Sequence, residues 1–238
     1  MKADKKNLLI FFGEYRTFDY VIPHLKKLDS VDIIFTTWSE SKINNNVFLV
    51  NESKIKKILP NIKNYFITNQ NEIPNIDTKS NIWKMFWHWK TAINSVIGDV
   101  EYDKVIVHRC DFISNWHEIL DLELEKDTLY FHHGKNPYHR WTTNPFFENK
   151  YPNAVWINDF YFFGKLDIVK KFINFFNKDN YEVPHHPLYE ALYENKINYK
   201  NHTLKGFLVR DTDIEYTNGF ILRNEEISNE SYLTGPFE

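Results

Sequence analysis

Leu8-Leu-Ile-Phe-Phe-Gly13-Glu-Tyr-Arg16 sets an unbroken apolar run directly against a glycine, a carboxylate and a guanidinium. A stretch that is apolar at every position, and not at every second one, suits a strand covered on both faces. That is the pattern of parallel sheets sandwiched by helices. Gly13 stops the run and permits a tight turn with close approach of a ligand. Arg16 then falls near the start of the next helix, where an anion is favoured.

The same alternation continues outward. Asp19 is expected to cap a helix with Pro23 in its first turn and Val21, Ile22, Leu25 and Leu28 as its apolar stripe. Val31-Asp-Ile-Ile-Phe-Thr-Thr37 reads as a second strand, residues 53–59 as a short helix closed by Pro60, and residues 65–68 as a weaker strand. Residues 80–97 form the strongest helical pattern, with Trp83, Phe86, Trp87, Ile93 and Val96 at helical spacing and Gly98 as the stop. Strands are expected at 104–111, 128–131 and 155–163, helices at 167–176 and 187–195, and late strands at 204–209 and 220–222. Strand–helix alternation in the first half and a strand-rich second half predict an α/β fold: a mixed, mainly parallel sheet with helices on both faces. No linker or repeat divides the chain, so residues 1–238 read as a single domain, with a core over about 7–222 and a loose tail at 223–238.

The totals exclude several function classes. A net charge of −3 argues against broad nucleic-acid binding, which needs a basic face. The apolar run near the N-terminus is too short for a membrane span or a secretory core, so no membrane span and a cytoplasmic location are expected. Cys110 is the sole cysteine, so no internal disulfide forms. Aromatic residues make up 17% of the chain, a surplus that serves either a core of large side chains or a surface for the C–H faces of sugars. Only 7 glycines and no Gly-x-x-x-x-Gly-Lys loop count against a P-loop nucleotide enzyme.

In open α/β sheets ligands bind beyond the carboxyl ends of the strands, so the residues just past each strand are the candidates. After the first strand these are Gly13 and Arg16. After the second they are Thr37 and Trp38, which either hold a nucleoside or pack under a loop. Lys-Val-Ile-Val-His-Arg-Cys-Asp111 ends in Arg109 and Asp111, which lie on one side of an extended chain. Asp111 can take a divalent cation on a pyrophosphate, and Arg109 can bind phosphate or orient Asp111; a structural Arg–Asp pair is the alternative. Lys84 sits off the apolar stripe of its helix, within reach of a phosphate or free in solvent. Val155-Trp-Ile-Asn-Asp159 breaks an apolar strand with two polar residues, and Asp159 is a candidate general base. His186 offers a metal ligand without a second His or Cys at ligand spacing. The stretch 132–153 lacks periodicity, and its Tyr138, Arg140 and Trp141 are candidates for acceptor recognition.

Taken in order, these segments resemble a GT-A-like glycosyltransferase family found in bacterial polysaccharide loci and large viruses. The resemblance runs over about residues 7–176 and rests on Gly13-x-x-Arg16, the Asp32-to-Trp38 strand, Trp83-Lys84, Tyr102-Asp-x-Val-Ile-x-x-Arg109-x-Asp111, and Asn158-Asp159 followed by Gly164. It implies a GT-A-like fold and transfer of a sugar from a nucleotide diphosphate sugar donor to a glycan hydroxyl acceptor. It also implies Mn2+ or Mg2+ as cofactor and, for a viral chain, the host cytoplasm. Arg109 stands where that fold's usual Asp-x-Asp has its first Asp, which leaves metal dependence open. A catalytically inactive glycan-binding domain, or another nucleotide-dependent transferase, is the alternative. The sequence carries no signal of oligomeric state.

Overall fold

The computed structural model describes residues 6–43, 46–96, 101–134, 150–151, 155–178 and 185–209. Strand β1 (Lys6–Phe12) is central to a seven-stranded sheet in the order β10-β8-β9-β6-β1-β2-β5. The partners are β2 (Asp32–Trp38), β5 (Ile62–Thr68), β6 (Tyr102–Arg109), β8 (Thr128–Gly134), β9 (Trp156–Gly164) and β10 (Asn198–Asn201). The pairs β1–β2, β1–β6, β2–β5 and β8–β10 are parallel, whereas β9 runs antiparallel to both β6 and β8. The expected mixed, mainly parallel α/β sheet is therefore present.

The unbroken apolar run of β1 has the predicted cause. Leu8, Ile10 and Phe12 enter one core and Leu9 and Phe11 the other, one on each face of the sheet. The first core is closed by α3 (Asn81–Asn94), α4 (Leu166–Asn174) and α5 (His185–Glu194). The second is closed by α1 (Phe18–Val21), α2 (Glu52–Ile58) and the 3-10 turn of Trp116–Asp121. Fully burying one such aliphatic or aromatic side chain contributes about 1.5–3 kcal/mol, and β1 buries five in a row, Leu8 to Phe12. Among the described residues, no helix is long and apolar enough to cross a membrane.

Several local expectations are corrected. The helix after Gly13 has only four residues and continues as a 3-10 turn over Ile22–His24. Asp19 does not cap it: its carboxylate accepts from the Tyr15 hydroxyl at 2.5 Å and pairs with Lys54 at 3.0 Å. The chain turns extended at Leu25, just past Pro23, so Val21, Ile22, Leu25 and Leu28 reach the same core without forming one helical stripe. Helix α3 starts as expected, with the Ser80 hydroxyl accepting from the Trp83 N–H. It stops at Asn94, before Gly98, where Ser95 donates to the Ala92 carbonyl at 2.7 Å. Its buried residues are Phe86, His88, Trp89, Ala92 and Ile93, with Trp83 packed against the same core and Trp87 stacked on Trp38 instead. Three pairings go beyond the sequence expectations: the hairpin β3 (Glu40–Ile43) with β4 (Asn46–Leu49), the polar edge strand β10, and β7 (Phe112–Ser114) with β11 (Gly206–Leu208). The expected strand at 220–222 and the tail at 223–238 lie outside the described residues.

Candidate functional site

Because β1, β2 and β6 are parallel and adjacent, their carboxyl ends meet at one rim, with Phe12 beside both Thr36 and Arg109. The reversed strand β9 begins at that same rim. Its pairing of Tyr161 with His108 carries Asp159 to the level of Arg109 and Asp111. A cleft of about 430 Å³ opens there, lined among the described residues by Gly13, Arg16, Trp38, Lys84, Arg109, Asp111 and Asp159. These come from every segment that carried the sequence resemblance. Phe12, Glu14, Asn81, Ile82, Met85 and His88 complete the lining.

The turn after β1 is held tightly. Gly13 has φ +116°, a conformation that side-chain-bearing residues rarely adopt, and its N–H donates to the Thr36 carbonyl at 3.2 Å. The Cys110 N–H donates to the Phe12 carbonyl at 3.0 Å, and the Cys110 thiol donates to the Glu14 carbonyl at 3.0 Å. These bonds tie the β1 turn to the end of β6, so the sole cysteine sits behind the cleft wall. Burial, then the neighbouring Asp111 charge, pushes the Cys110 thiol well up, which keeps it protonated.

Arg109 organises the charges. Its Nε and Nη2 donate to the two oxygens of Asp111 at 2.8 and 2.6 Å, a bidentate pair. Its Nη1 lies 3.7 Å from Asp159, and the guanidinium is 5.2 Å from the centre of the Phe160 ring. Arg16 Nη2 approaches Asp111 at 3.5 Å, and Arg16 Nη1 lies 3.9 Å from Glu14. Asp111 is 5% exposed. Burial alone would raise its pKa, but the Arg109 and Arg16 charges and hydrogen bonds outweigh that and hold the carboxyl below its ordinary value. Deleting one partner of such a buried pair costs about 3–5 kcal/mol, because the other charge is left uncompensated.

His88 escapes sequence reasoning because it reads as one more residue in an apolar helix. Asn81, Lys84, Met85 and His88 all line the cleft, and their spacing places them on one face of α3. That spacing from Lys84 is the available signal. The His88 ring shares a 2.8 Å hydrogen bond between Nδ1 and Thr36 Oγ1, while Nε2 has no hydrogen-bond partner among the described residues. Burial lowers its pKa from 6.5 to about 3, so the imidazole is neutral. It packs 4.2 Å from the Trp38 ring, which also stacks on Trp87 at 5.4 Å. Trp38 thus packs against other rings as well as lining the cleft. His108, at the base of the same rim, is also neutral: burial lowers it to about 4, and its Nε2 hydrogen-bonds Ser114 Oγ at 2.7 Å.

Other candidates are placed elsewhere. Thr37 is fully buried, does not line the cleft, and its hydroxyl has no hydrogen-bond partner among the described residues. Strand alternation turns it away from Thr36, which is the threonine that supports the cleft wall through His88. Asn158 points inward and accepts from the Phe160 N–H at 2.8 Å, a local turn bond. His186 lies on α5 and is absent from the cleft lining. Tyr138, Arg140 and Trp141 lie outside the described residues. The implied Mn2+ or Mg2+ does not fit these side chains. Both oxygens of Asp111 are already bonded to a guanidinium. Among the described residues, moreover, no three His, Cys, Asp or Glu side chains come together as a metal site.

No family model matches the chain, and no curated protein matches it. Among solved structures it is similar to the apo form of the glycosyltransferase GlyE from Streptococcus pneumoniae TIGR4, at 12% identity and a TM-score of 0.43, over 92% of this chain and 51% of that one. It is also similar to the galactosyltransferase LgtC in complex with donor and acceptor sugar analogues, at 13% identity and a TM-score of 0.48, over 82% of this chain and 73% of that one. The chain spans about half the length of GlyE. At these identities the likeness concerns the course of the chain alone.

Proposed function

We propose that this chain transfers a glycosyl unit from a nucleotide diphosphate sugar to a hydroxyl of a glycan acceptor. The observation that carries the reading is the convergence of the five resembling segments on one cleft: Gly13 and Arg16, Trp38, Lys84, Arg109 and Asp111, and Asp159. The cleft has two characters. Phe12, Trp38, Ile82, Met85 and the neutral His88 make an apolar, aromatic wall suited to a nucleoside. Arg16, Lys84 and Arg109 place cations where a diphosphate leaves.

In the reaction the anomeric C–O bond to the diphosphate breaks, the acceptor oxygen forms the new bond, and the acceptor proton goes to a base. Asp159 is assigned as that base, because it is the cleft carboxylate whose contact with Arg109 is a long 3.7 Å ion pair, in contrast to the bidentate Asp111. Asp111 is a positioning residue: it aligns Arg109 and Arg16 toward the leaving group. A single displacement with Asp159 as base inverts the anomeric centre, so a product of retained configuration removes Asp159 from that role.

The test is calorimetry against UDP, GDP, ADP, CDP and dTDP and their common sugar conjugates. At least one is expected to bind, and Asp111→Ala, with its fold checked by circular dichroism, is expected to lose that binding. A protein that binds none of them, or an Asp111→Ala variant that binds and turns over normally, overturns the proposal.

A further inference from the structure

We propose that this cleft holds the donor diphosphate with Arg16, Lys84 and Arg109 and with no divalent cation on Asp111. The inference rests on the glycosyl-transfer reading above and concerns how the same site neutralises its anion. A cation bound to Asp111 has to displace the Arg109 guanidinium, which donates to both carboxylate oxygens at 2.8 and 2.6 Å. It also arrives beside Arg16, whose Nη2 is 3.5 Å from the same carboxylate, so two fixed positive charges repel it. With Asp111 5% exposed, the exchange strands a guanidinium against a buried wall.

The same arrangement suits a phosphate. Arg109 Nη1 faces Asp159 at 3.7 Å, beyond hydrogen-bond length, so a phosphate oxygen can take that nitrogen without disturbing the Asp111 pair. Arg16 lines the same cleft, with Nη2 donating to Asp111 at 3.5 Å and Nη1 3.9 Å from Glu14. Lys84 projects from the cleft-facing side of α3, beside His88 and Met85. Together these three cations occupy the leaving-group place that a metal fills elsewhere. Asp111 is the anion that both arginines contact. This also gives a physical reason for Arg109 at the first position of Arg-x-Asp.

The experiment uses the full chain and the tightest-binding nucleoside diphosphate from the panel, titrated with excess EDTA and again with saturating Mn2+. Binding is expected in excess EDTA, and saturating Mn2+, which competes with the protein for the diphosphate, is expected not to tighten it. Lys84→Gln is expected to weaken binding by about tenfold in both. The electron paramagnetic resonance signal of free Mn2+ with nucleotide should not fall when protein is added, and should rise where the protein takes the nucleotide from the ion. Binding that needs Mn2+, or a protein-dependent loss of that signal, overturns the cation-free clamp and leaves the transfer reading intact. Unchanged affinity in Lys84→Gln overturns the clamp as drawn. Binding in neither condition overturns this inference and the transfer reading together.

Discussion

Lowering the pH from 7.5 to 5 should cost this protein about 4 kcal/mol of folding stability, through two histidines that frame the cleft. His88 and His108 are both fully buried, and burial lowers their pKa values from 6.5 to about 3 and about 4. Between those values and 6.5 the unfolded chain carries a proton on each ring that the folded chain does not. The unfolded state therefore binds more protons, and stability rises with pH across this window and levels off above 6.5. One proton per histidine corresponds to about 1.4 kcal/mol per pH unit, hence about 2.7 for the pair and about 4 from the plateau down to pH 5. Burial also lowers His24 and His202, which adds a contribution of the same sign. The lowered carboxyl of Asp111 acts below this range, since its stabilisation is lost only as pH falls under the ordinary carboxylate value. Urea unfolding at pH 7.5, 6.5 and 5 measures the drop, and His88→Gln should reduce it by about half. A stability flat to within about 1 kcal/mol over that range would show that the two rings are not buried neutral, and the account of the cleft wall would fail.

Two further outcomes rest on named contacts. Asp159→Asn should not weaken nucleotide affinity, since it removes a carboxylate 3.7 Å from the phosphate-binding Arg109 nitrogen, while turnover falls by about a hundredfold or more, measured as nucleoside diphosphate release with acceptor present. Full turnover in that variant removes the base assignment alone. Gly206→Ala should separate β11 from β7, because an added Cβ would lie 2.2 Å from the Ile113 carbonyl oxygen and 2.8 Å from Phe112. A loss of about 2 kcal/mol or more is expected, read as a lower melting temperature, and an unshifted melting curve contradicts it.

The sequence exposed those strands that are buried on both faces. Leu8–Phe12 and Lys104–Arg109 have no polar alternation to blur them, and the residues at their carboxyl ends, Gly13, Arg109 and Asp111, lie on the cleft rim. It concealed the elements whose pairing is decided by distant partners. Asn198–Asn201 is polar because it is an edge, and Phe112–Ser114 is too short to show any period. It also concealed strand direction. Nothing in Trp156–Gly164 says that it runs against its neighbours, yet that reversal brings Asp159 to the rim. Thr36 and Thr37 end the same apolar run, and only the pleat separates the one that reaches His88 from the one that does not.

That reversal also separates two kinds of tuning. Gly13, Trp38 and Arg109 hang from the trailing tips of their strands, whereas Asp159 hangs from a leading tip. The pairing of β9 with β8 and β6 fixes Asp159 from both sides, so changes in the connection entering β9 leave both the proton acceptor and the anion clamp in register. In the proposed enzyme, a lineage can exchange the alcohol it glycosylates by rewriting one connection, without relearning its nucleotide.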